Sequence, residues 1–215
     1  MSKTQRFVVC LSILLLTGCA TKMKLTQTGF LTDYDQLVQS DSTKGMRIYK
    51  NDAVNIKETY KKIMIAPVEI RLAPQAQAKF SEEDQQKLTT YFYESLKTRL
   101  AKQFELTEEA GPGVLLLRTA ITDLLPNKVY LNLHWSTTLL GGGIGGASIE
   151  AELVDAQSKE RVLAFIDAKK GKKLNYTKGL TKWGHTKEVL DKWADILVKN
   201  LDELQTEPKK LAESH

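Results

Sequence analysis

The stretch Ser148-Ile149-Glu150-Ala151-Glu152-Leu153-Val154-Asp155 alternates apolar and polar side chains. Successive residues of a β-strand point to opposite faces, so Ile149, Ala151 and Leu153 are predicted to share one face of a sheet. Asp155 to Lys159 then predict a turn into a second strand, Arg161 to Ala168, which gives a hairpin. The polar face, with Glu150 and Glu152, is expected to be in water, as on a half-exposed antiparallel sheet.

Three further strands are predicted before the hairpin. Val114 to Leu125 is a long β-type run between the turn signals Gly111-Pro112-Gly113 and Pro126-Asn127. Val129 to Leu140 alternates regularly between apolar and polar side chains, and is also predicted to be a strand. Lys62 to Leu72 is a compact apolar run and is predicted to be the first strand. Its Pro67 indicates an edge position or a bulge, because proline cannot donate to a ladder.

Two long amphipathic helices are predicted on either side of these strands. The first begins after Ser81, which has capping-box spacing to Asp84, and its apolar stripe is Leu88, Phe92, Leu96 and Leu100. The second runs from about Thr181 to Leu204, with apolar residues including Trp183, Leu190, Trp193, Leu197 and Leu201 on one side. The predicted fold class is therefore α+β: a mixed or antiparallel sheet of about five strands, with two long amphipathic helices packed on it.

The N-terminus predicts export and lipid attachment. Lys3 and Arg6 precede an apolar run that ends in Leu16-Thr17-Gly18-Cys19. This is the layout of a secretory signal, and the run is about half the ~20 residues that span a bilayer. Leu-Thr-Gly-Cys resembles a bacterial lipobox, in which the chain is cut before an acylated cysteine. In known lipoproteins, residues such as Ala20 and Thr21 after the cysteine imply the outer membrane, with the protein facing the periplasm.

The predicted organisation follows from this anchor. Residues 1–18 are a signal peptide, 19–40 a lipidated tether and docking segment, 41–205 a single periplasmic α+β domain and 206–215 a charged tail. In the docking segment, Gly29-Phe30-Leu31, Tyr34 and Leu37 are expected to pack on the domain. Loss of the signal leaves 197 residues, enough for one domain with a core of its own.

Composition excludes several functions. Cys10 leaves with the signal and Cys19 is acylated, so disulfides, thiolate nucleophiles and cysteine metal sites are excluded. The net charge falls from +5 to +3 when Lys3 and Arg6 are removed, which gives no evidence for nucleic acid. The lysine pairs on either side of Gly171, Lys169-Lys170 and Lys172-Lys173, indicate a solvated turn. Contact with anionic lipid headgroups is the alternative.

No motif predicts a cofactor, a metal or a catalytic site. Gly141 to Gly146 matches the letters of a dinucleotide fingerprint, but a strand pattern follows it where that fingerprint needs a helix, so a hinge between strands is the better interpretation. His134, His185 and His215 lack ligand spacing, so no metal site is expected. Glu150 and Glu152 are the only residues that suggest acid/base chemistry, as a hydrolase acting on envelope polymers. Solvated charges explain them more simply, and no enzyme is expected.

Two non-enzymatic hypotheses remain open. In the first, acylated Cys19 holds a binding or structural module that contacts another envelope protein. In the second, the protein is an oligomeric secretion or assembly factor whose Val129 to Leu140 strand enters the bilayer, since about ten alternating residues can span it. A homo-oligomer would support the second hypothesis.

Four strings of residues resemble one known family. They are Thr28-Gly29-Phe30-Leu31-Thr32-Asp33-Tyr34, Met64-Ile65-Ala66-Pro67-Val68, Ser148 to Ala156 and Asp191-Lys192-Trp193-Ala194. In this order they resemble a bacterial lipoprotein family of unknown function, of the domain-of-unknown-function 3313 type. The similarity runs from about Gly29 to Leu204. The resemblance implies an envelope lipoprotein and supplies no catalytic residues.

Overall fold

The computed structural model describes Met23 and residues 25–132, 143–172 and 175–206. These residues form one eight-stranded mixed sheet. Its strands are β1 (Val38–Gln39), β2 (Arg47–Lys50), β3 (Lys62–Ile65), β4 (Glu69–Ile70), β5 (Glu105–Leu106), β6 (Val114–Leu125), β7 (Gly146–Asp155) and β8 (Arg161–Lys170). The helices are α1 (Ile56–Thr59), α2 (Pro74–Gln77), α3 (Glu82–Leu100), α4 (Val129–Asn132), α5 (Tyr176–Gly179) and α6 (Gly184–Thr206).

The strands lie in the order β1-β2-β8-β7-β6-β3-β5, and β4 pairs with β6 beyond β3. The predicted hairpin is confirmed as β7 and β8, which pair antiparallel along their whole length. β6 pairs antiparallel with β7, whereas β3, β4 and β5 run parallel to their neighbours. The sheet is therefore mixed, as one of the two predicted alternatives.

The two long helices cover one face of the sheet. The Ser81 side chain accepts a hydrogen bond from the Asp84 N–H at 3.1 Å, so the predicted cap of α3 is confirmed. Leu88, Phe92, Leu96 and Leu100 are all buried against the sheet and α6. In α6, Trp193 is the largest fully buried side chain, and Ile149, Ala151 and Leu153 of β7 lie in the same core.

The opposite face, called the outer face below, is also covered. Met23 and residues 25–37 form a segment, the strap, whose Phe30, Leu31 and Leu37 are buried with Ala164 and Ile166 of β8. This is the packing expected of the docking segment. It makes the prediction of a solvated polar face wrong, since Glu150 and Glu152 are 0% and 3% exposed.

Three other predictions need correction. The sheet has eight strands rather than about five, because four short strands of two or four residues (β1, β2, β4 and β5) carry no readable period. The Lys62 to Leu72 run is two strands, β3 and β4, with Pro67 in the break, and it follows β1 and β2 instead of opening the sheet. Residues Val129–Asn132 form helix α4 where a strand was predicted, and residues 133–142 lie outside the described residues.

Within the described residues, no helix has both the length and the apolar character needed to cross a bilayer. Cys19 and the rest of the predicted signal and lipobox lie outside the described residues.

Candidate functional site

The carboxylate of Glu150 holds the strap on the outer face. Its Oε1 accepts hydrogen bonds from the N–H of Thr28 at 2.8 Å and from the Thr28 hydroxyl at 2.9 Å. Its Oε2 accepts from the Tyr34 hydroxyl at 2.5 Å and from the Leu31 N–H at 3.4 Å. Burial and the Glu150 carboxylate raise the pKa of Tyr34. Glu150 therefore uses both oxygens to fix three residues of the strap.

Glu152, on the same face of β7, binds two arginines. Its Oε1 lies 2.5 Å from Arg118 Nη1, and Arg118 stands directly across from it on β6. Its Oε2 lies 3.4 Å from Arg161 Nη2. The same guanidinium donates to the Asp33 carbonyl at 2.8 Å and to the Thr32 hydroxyl at 2.9 Å, so Glu152 holds the strap through Arg161.

The strap adds its own packing to these polar contacts. Arg118 Cζ lies 4.8 Å from the ring centre of Phe30, a cation–π contact. Loss of one partner from such a buried polar cluster is costly, because the remaining polar group stays buried without its hydrogen bond or counter-ion. Thus Glu150 and Glu152, the pair that could have suggested acid/base chemistry, form a buried clasp between the strap and the sheet.

The strap runs along β7 toward one end of the sheet. Thr28 lies at Glu150, whereas Met23 lies at Gly146, where an added Cβ would meet the Met23 sulfur at 2.7 Å. At this end Leu125, Gly146 and Lys170 are paired across three neighbouring strands. The Gly146 end, as we call it, consists of these three residues and the attached loops 126–128, 143–145, 171–172 and 178–182.

Asn127 and His185 join the loops of the Gly146 end. The Asn127 amide donates to the carbonyls of Lys178 and Thr181 at 2.7 and 2.5 Å, and its Oδ1 accepts from the Gly145 N–H at 2.8 Å. His185 is fully buried, with Nδ1 3.2 Å from Asn127 Oδ1 and Nε2 3.2 Å from the Lys172 carbonyl. Burial lowers the pKa of His185. The role of His185 in the described part of the chain is therefore to connect loops.

The lysine pairs around Gly171 are partly in the sheet. Lys169 and Lys170 are the last residues of β8, and Lys169 forms an ion pair with buried Asp167, whose Oδ2 also accepts from Trp193 Nε1 at 2.9 Å. The prediction of a solvated turn is therefore wrong for these two lysines. Lys172 is exposed, and Lys173 lies outside the described residues.

The remaining sequence candidates are not brought together. A strand, β7, follows the glycine run, but the described start of the segment before it, Val129–Asn132, is helix α4, so the predicted hinge between two strands is not confirmed. Gly143 has a left-handed φ of 76°. His134, His215 and Cys19 lie outside the described residues. Among the residues that are described, no group of three or more His, Cys, Asp or Glu side chains is arranged to hold a metal ion.

An apolar groove lies at the edge of the sheet formed by β3 and β5, between β3 and α3. Met64, Ile65, Pro67, Tyr93 and Leu106 line it. It continues along α3 past Val68 and Thr89. The edge strand β5 pairs only with Lys62 and Ile63, so within the described chain no strand lies beside the last two residues of β3 on this side.

Sequence reasoning named Glu150 and Glu152 but missed the arginines that pair with Glu152. Arg118 is a basic residue among the apolar side chains of β6, and in an antiparallel sheet a charge of opposite sign is expected across from it. That signal, together with the two glutamates of β7, could have predicted a covered polar cluster.

The chain is similar to proteins from several bacteria. It is 25% identical over 197 residues to the uncharacterized lipoprotein YdcL of Escherichia coli K12, covering 85% of this chain and 89% of that protein. A PelC dodecamer from Paraburkholderia phytofirmans matches 68% of this chain and 93% of its own, with a TM-score of 0.40 and 10% identity. The hypothetical protein CT253 of Chlamydia trachomatis matches 67% of this chain and 99% of its own, with a TM-score of 0.39 and 11% identity.

The two structural likenesses have TM-scores below 0.5 and carry no inference about function. The model of one family, described as protein of unknown function (DUF3313), matches residues 26–197 of this chain. That range contains most of the strap, the whole sheet and most of α6. The chain therefore belongs to the DUF3313 family, and is related to a bacterial lipoprotein.

Proposed function

We propose that this protein is an outer-membrane lipoprotein, held by acyl chains on Cys19, whose domain faces the periplasm as a non-enzymatic binding module of the cell envelope. The observation that carries the proposal is the strap. The strap leads from the domain core to Met23, which is four residues from Cys19. Glu150 and Glu152 hold the strap on the outer face of the sheet. A clasped strap is what a short lipid tether needs in order to hold a folded domain. The relation to an uncharacterized lipoprotein supports the same role.

The state of the two glutamates supports a non-enzymatic role. A general acid or base must come within hydrogen-bond reach of its substrate. Glu150 and Glu152 are buried beneath the strap and are occupied by donors of this chain. A hydrolase would therefore have no accessible carboxylate pair at these two positions.

The groove between β3 and α3 is the surface that we propose for a protein partner. An extended segment of another envelope protein could add a strand beside Met64 and Ile65, where β5 has already ended. Main-chain hydrogen bonds would then give affinity, and apolar side chains of the partner would enter the groove at Tyr93 and Leu106. Proline at position 67 limits such an added strand to the residues before it.

Replacement of Cys19 tests the anchor. Cys19→Ala should move the protein from the outer-membrane fraction to the soluble periplasmic fraction, and should abolish acylation of the N-terminal peptide in mass spectrometry. Cys10→Ala is the matched control, since Cys10 lies in the predicted signal and its loss should change neither result. Membrane retention of the Cys19→Ala protein would refute the anchor.

A further inference from the structure

We propose that the Gly146 end is a second membrane contact, which docks on anionic phospholipid headgroups beside the acyl anchor. This inference rests on the proposed anchoring through Cys19. It assigns a partner to a surface of the domain that the anchor alone does not orient. The sequence left headgroup contact open for the lysines around Gly171; of these, Lys172 is exposed in the described chain and supports the proposal together with Lys128 and Lys178.

The path of the strap places the anchor at this end. Thr28 contacts Glu150 in the middle of β7, and Met23 lies against Gly146 at the start of β7. The strap thus runs along β7, and its first described residue, Met23, lies at the Gly146 end. An extended chain covers at most about 3.6 Å per residue, so the four residues from Met23 to Cys19 span no more than about 14 Å. The Gly146 end must therefore lie close to the headgroup layer.

Exposed lysines surround this exit point. Lys128, Lys172 and Lys178 are exposed and lie in three segments that Asn127 and His185 join, Lys178 in the last turn of α5. Lys182 adds little to the positive charge of this surface, because it forms an ion pair with Asp84 at 2.5 Å. Glu188 lies nearby and accepts a weak hydrogen bond from the Lys172 N–H at 3.5 Å, but its side chain is half-buried. The outward charge of the loops is therefore positive.

Exposed apolar side chains gather at the same end. Among the described residues, four large apolar side chains are exposed: Leu25, Val38, Tyr130 and Leu180. Leu25 is two residues from Met23, Tyr130 is in α4 just after Lys128, and Leu180 precedes the carbonyl of Thr181 that binds Asn127. Only Val38, on the edge strand β1, lies elsewhere. Aromatic and aliphatic side chains among lysines are typical of surfaces that insert at the headgroup level.

The energetics of such a contact suit a tethered domain. A lysine near an anionic membrane surface strengthens binding by about fivefold. Three lysines give about a hundredfold, which is weak for a free protein but sufficient to orient one that an anchor already holds at the surface. The contact would leave the groove between β3 and α3, at the far edge of the sheet, open to a partner.

A fluorescent label reports docking separately from anchoring. With Cys10 removed together with the signal and Cys19 acylated, the mature protein offers no other free thiol, so Leu180→Cys can be labelled with an environment-sensitive nitrobenzoxadiazole dye. Val38→Cys is the matched control, at an exposed apolar residue away from the Gly146 end. Each protein is reconstituted in vesicles of phosphatidylcholine and in vesicles of phosphatidylcholine and phosphatidylglycerol in equal parts.

In the phosphatidylglycerol vesicles, we expect the label at residue 180 to shift to the blue and to be quenched by lipid-borne quenchers, and the label at residue 38 to stay unchanged. Replacement of Lys128, Lys172 and Lys178 by Ala together should lower the docked-to-undocked ratio by about a hundredfold. Raised salt should act in the same direction.

Flotation of the protein with the vesicles is measured in the same samples. If the protein floats with both kinds of vesicle, and the label at residue 180 responds as the label at residue 38 does, docking is refuted and the anchor stands. If the protein does not float with phosphatidylcholine vesicles, the anchor fails. Docking rests on that anchor, so this result refutes docking together with the anchor.

Discussion

Glu150→Gln is the substitution that tests the clasp most directly. Glutamine keeps the size of the side chain but replaces one acceptor oxygen with an NH₂ group. Four donated hydrogen bonds converge on the carboxylate, from Thr28, Leu31 and Tyr34. A neutral amide can accept only on its remaining oxygen, so at least one donor of the strap is left without its acceptor.

The magnitude follows from these contacts. A hydrogen bond to a charged group contributes about 1.5–3 kcal/mol, and one between neutral groups about 1 kcal/mol, so each bond that is kept weakens by roughly 1 kcal/mol. A buried donor that loses its acceptor costs a further ~1–3 kcal/mol. The lower desolvation cost of the neutral amide offsets part of this sum. We expect the strap to be destabilised by about 2–4 kcal/mol.

Hydrogen exchange on single amides measures this effect. Protection of the Thr28 and Leu31 amides should fall by roughly 30-fold to several-hundred-fold, since 1.4 kcal/mol is tenfold in an equilibrium constant. The amide of Trp193, in the core on the opposite face, should change little if the strap opens before the domain unfolds. Glu109→Gln, at an exposed glutamate, is the matched control and should alter stability by less than about 0.5 kcal/mol.

Two results would contradict the role of Glu150. One is unchanged exchange at Thr28 and Leu31, and the other is an equal loss of protection at Trp193. A double-mutant cycle adds a further check. Tyr34→Phe removes a donor to Glu150, so it should cost about 1 kcal/mol less in the Glu150→Gln protein than in the unmodified one.

Three further predictions concern other contacts. Glu152→Gln leaves the nearly buried Arg161 without its counter-ion. The free energy of unfolding, measured by chemical denaturation, should fall by about 2–3 kcal/mol, a figure already reduced because Arg118 is one-third exposed to solvent. An unchanged free energy of unfolding would show that the contacts of Arg161 with Asp33 and Thr32 suffice. A Cβ at Gly171 would overlap the ring of buried His185, whereas a Cβ at Gly111 would meet open space. Gly171→Ala should therefore destabilise by about 1–3 kcal/mol and Gly111→Ala should not, as thermal melts will show. Burial and the hydrogen bond to Asp191 raise the pKa of Tyr91 to about 12, above its ordinary value of 10.0. Because the folded pKa is raised, this share of stability is complete below pH 10 and is lost as the pH rises toward 12. Tyr91→Phe should remove that alkaline loss and one late step of the tyrosinate absorbance titration, and a tyrosinate that forms near pH 10 at Tyr91 would contradict the assignment.

The helices and strands in which a hydrophobic pattern continues over many residues were predictable from sequence. The stripe of Leu88, Phe92, Leu96 and Leu100 and the alternation of β7 persist for several turns or pairs, so local pattern and tertiary packing agree. β1, β2, β4 and β5 have two or four residues, too few for a period of two to be seen. Residues Val129–Asn132 show that alternation alone can mislead, since these four residues begin an alternating run and yet form one helical turn.

The clasp could not be predicted from the sequence, for a different reason. Alternation indicates correctly that Glu150 and Glu152 point away from the helices, but it does not indicate what lies on the other face. The cover is Thr28 to Tyr34, more than one hundred residues earlier in the chain. A local pattern contains no information about a contact at that separation, and the charge of Arg118 on the neighbouring strand is the one signal that pointed to a covered polar cluster.

The direction of the strap also determines how the protein responds to mechanical force. The strap runs along β7, and Met23, the residue nearest to the proposed anchor, lies at the Gly146 end. A pull on the anchor along this axis stretches the bonds at Glu150 and the Arg161 contacts together, in shear. A pull away from the outer face would break them one after another, beginning at Met23. If the proposed anchoring and docking hold, force on the anchor acts along β7, in the shear direction, and the strap would resist it better than the small size of the clasp indicates.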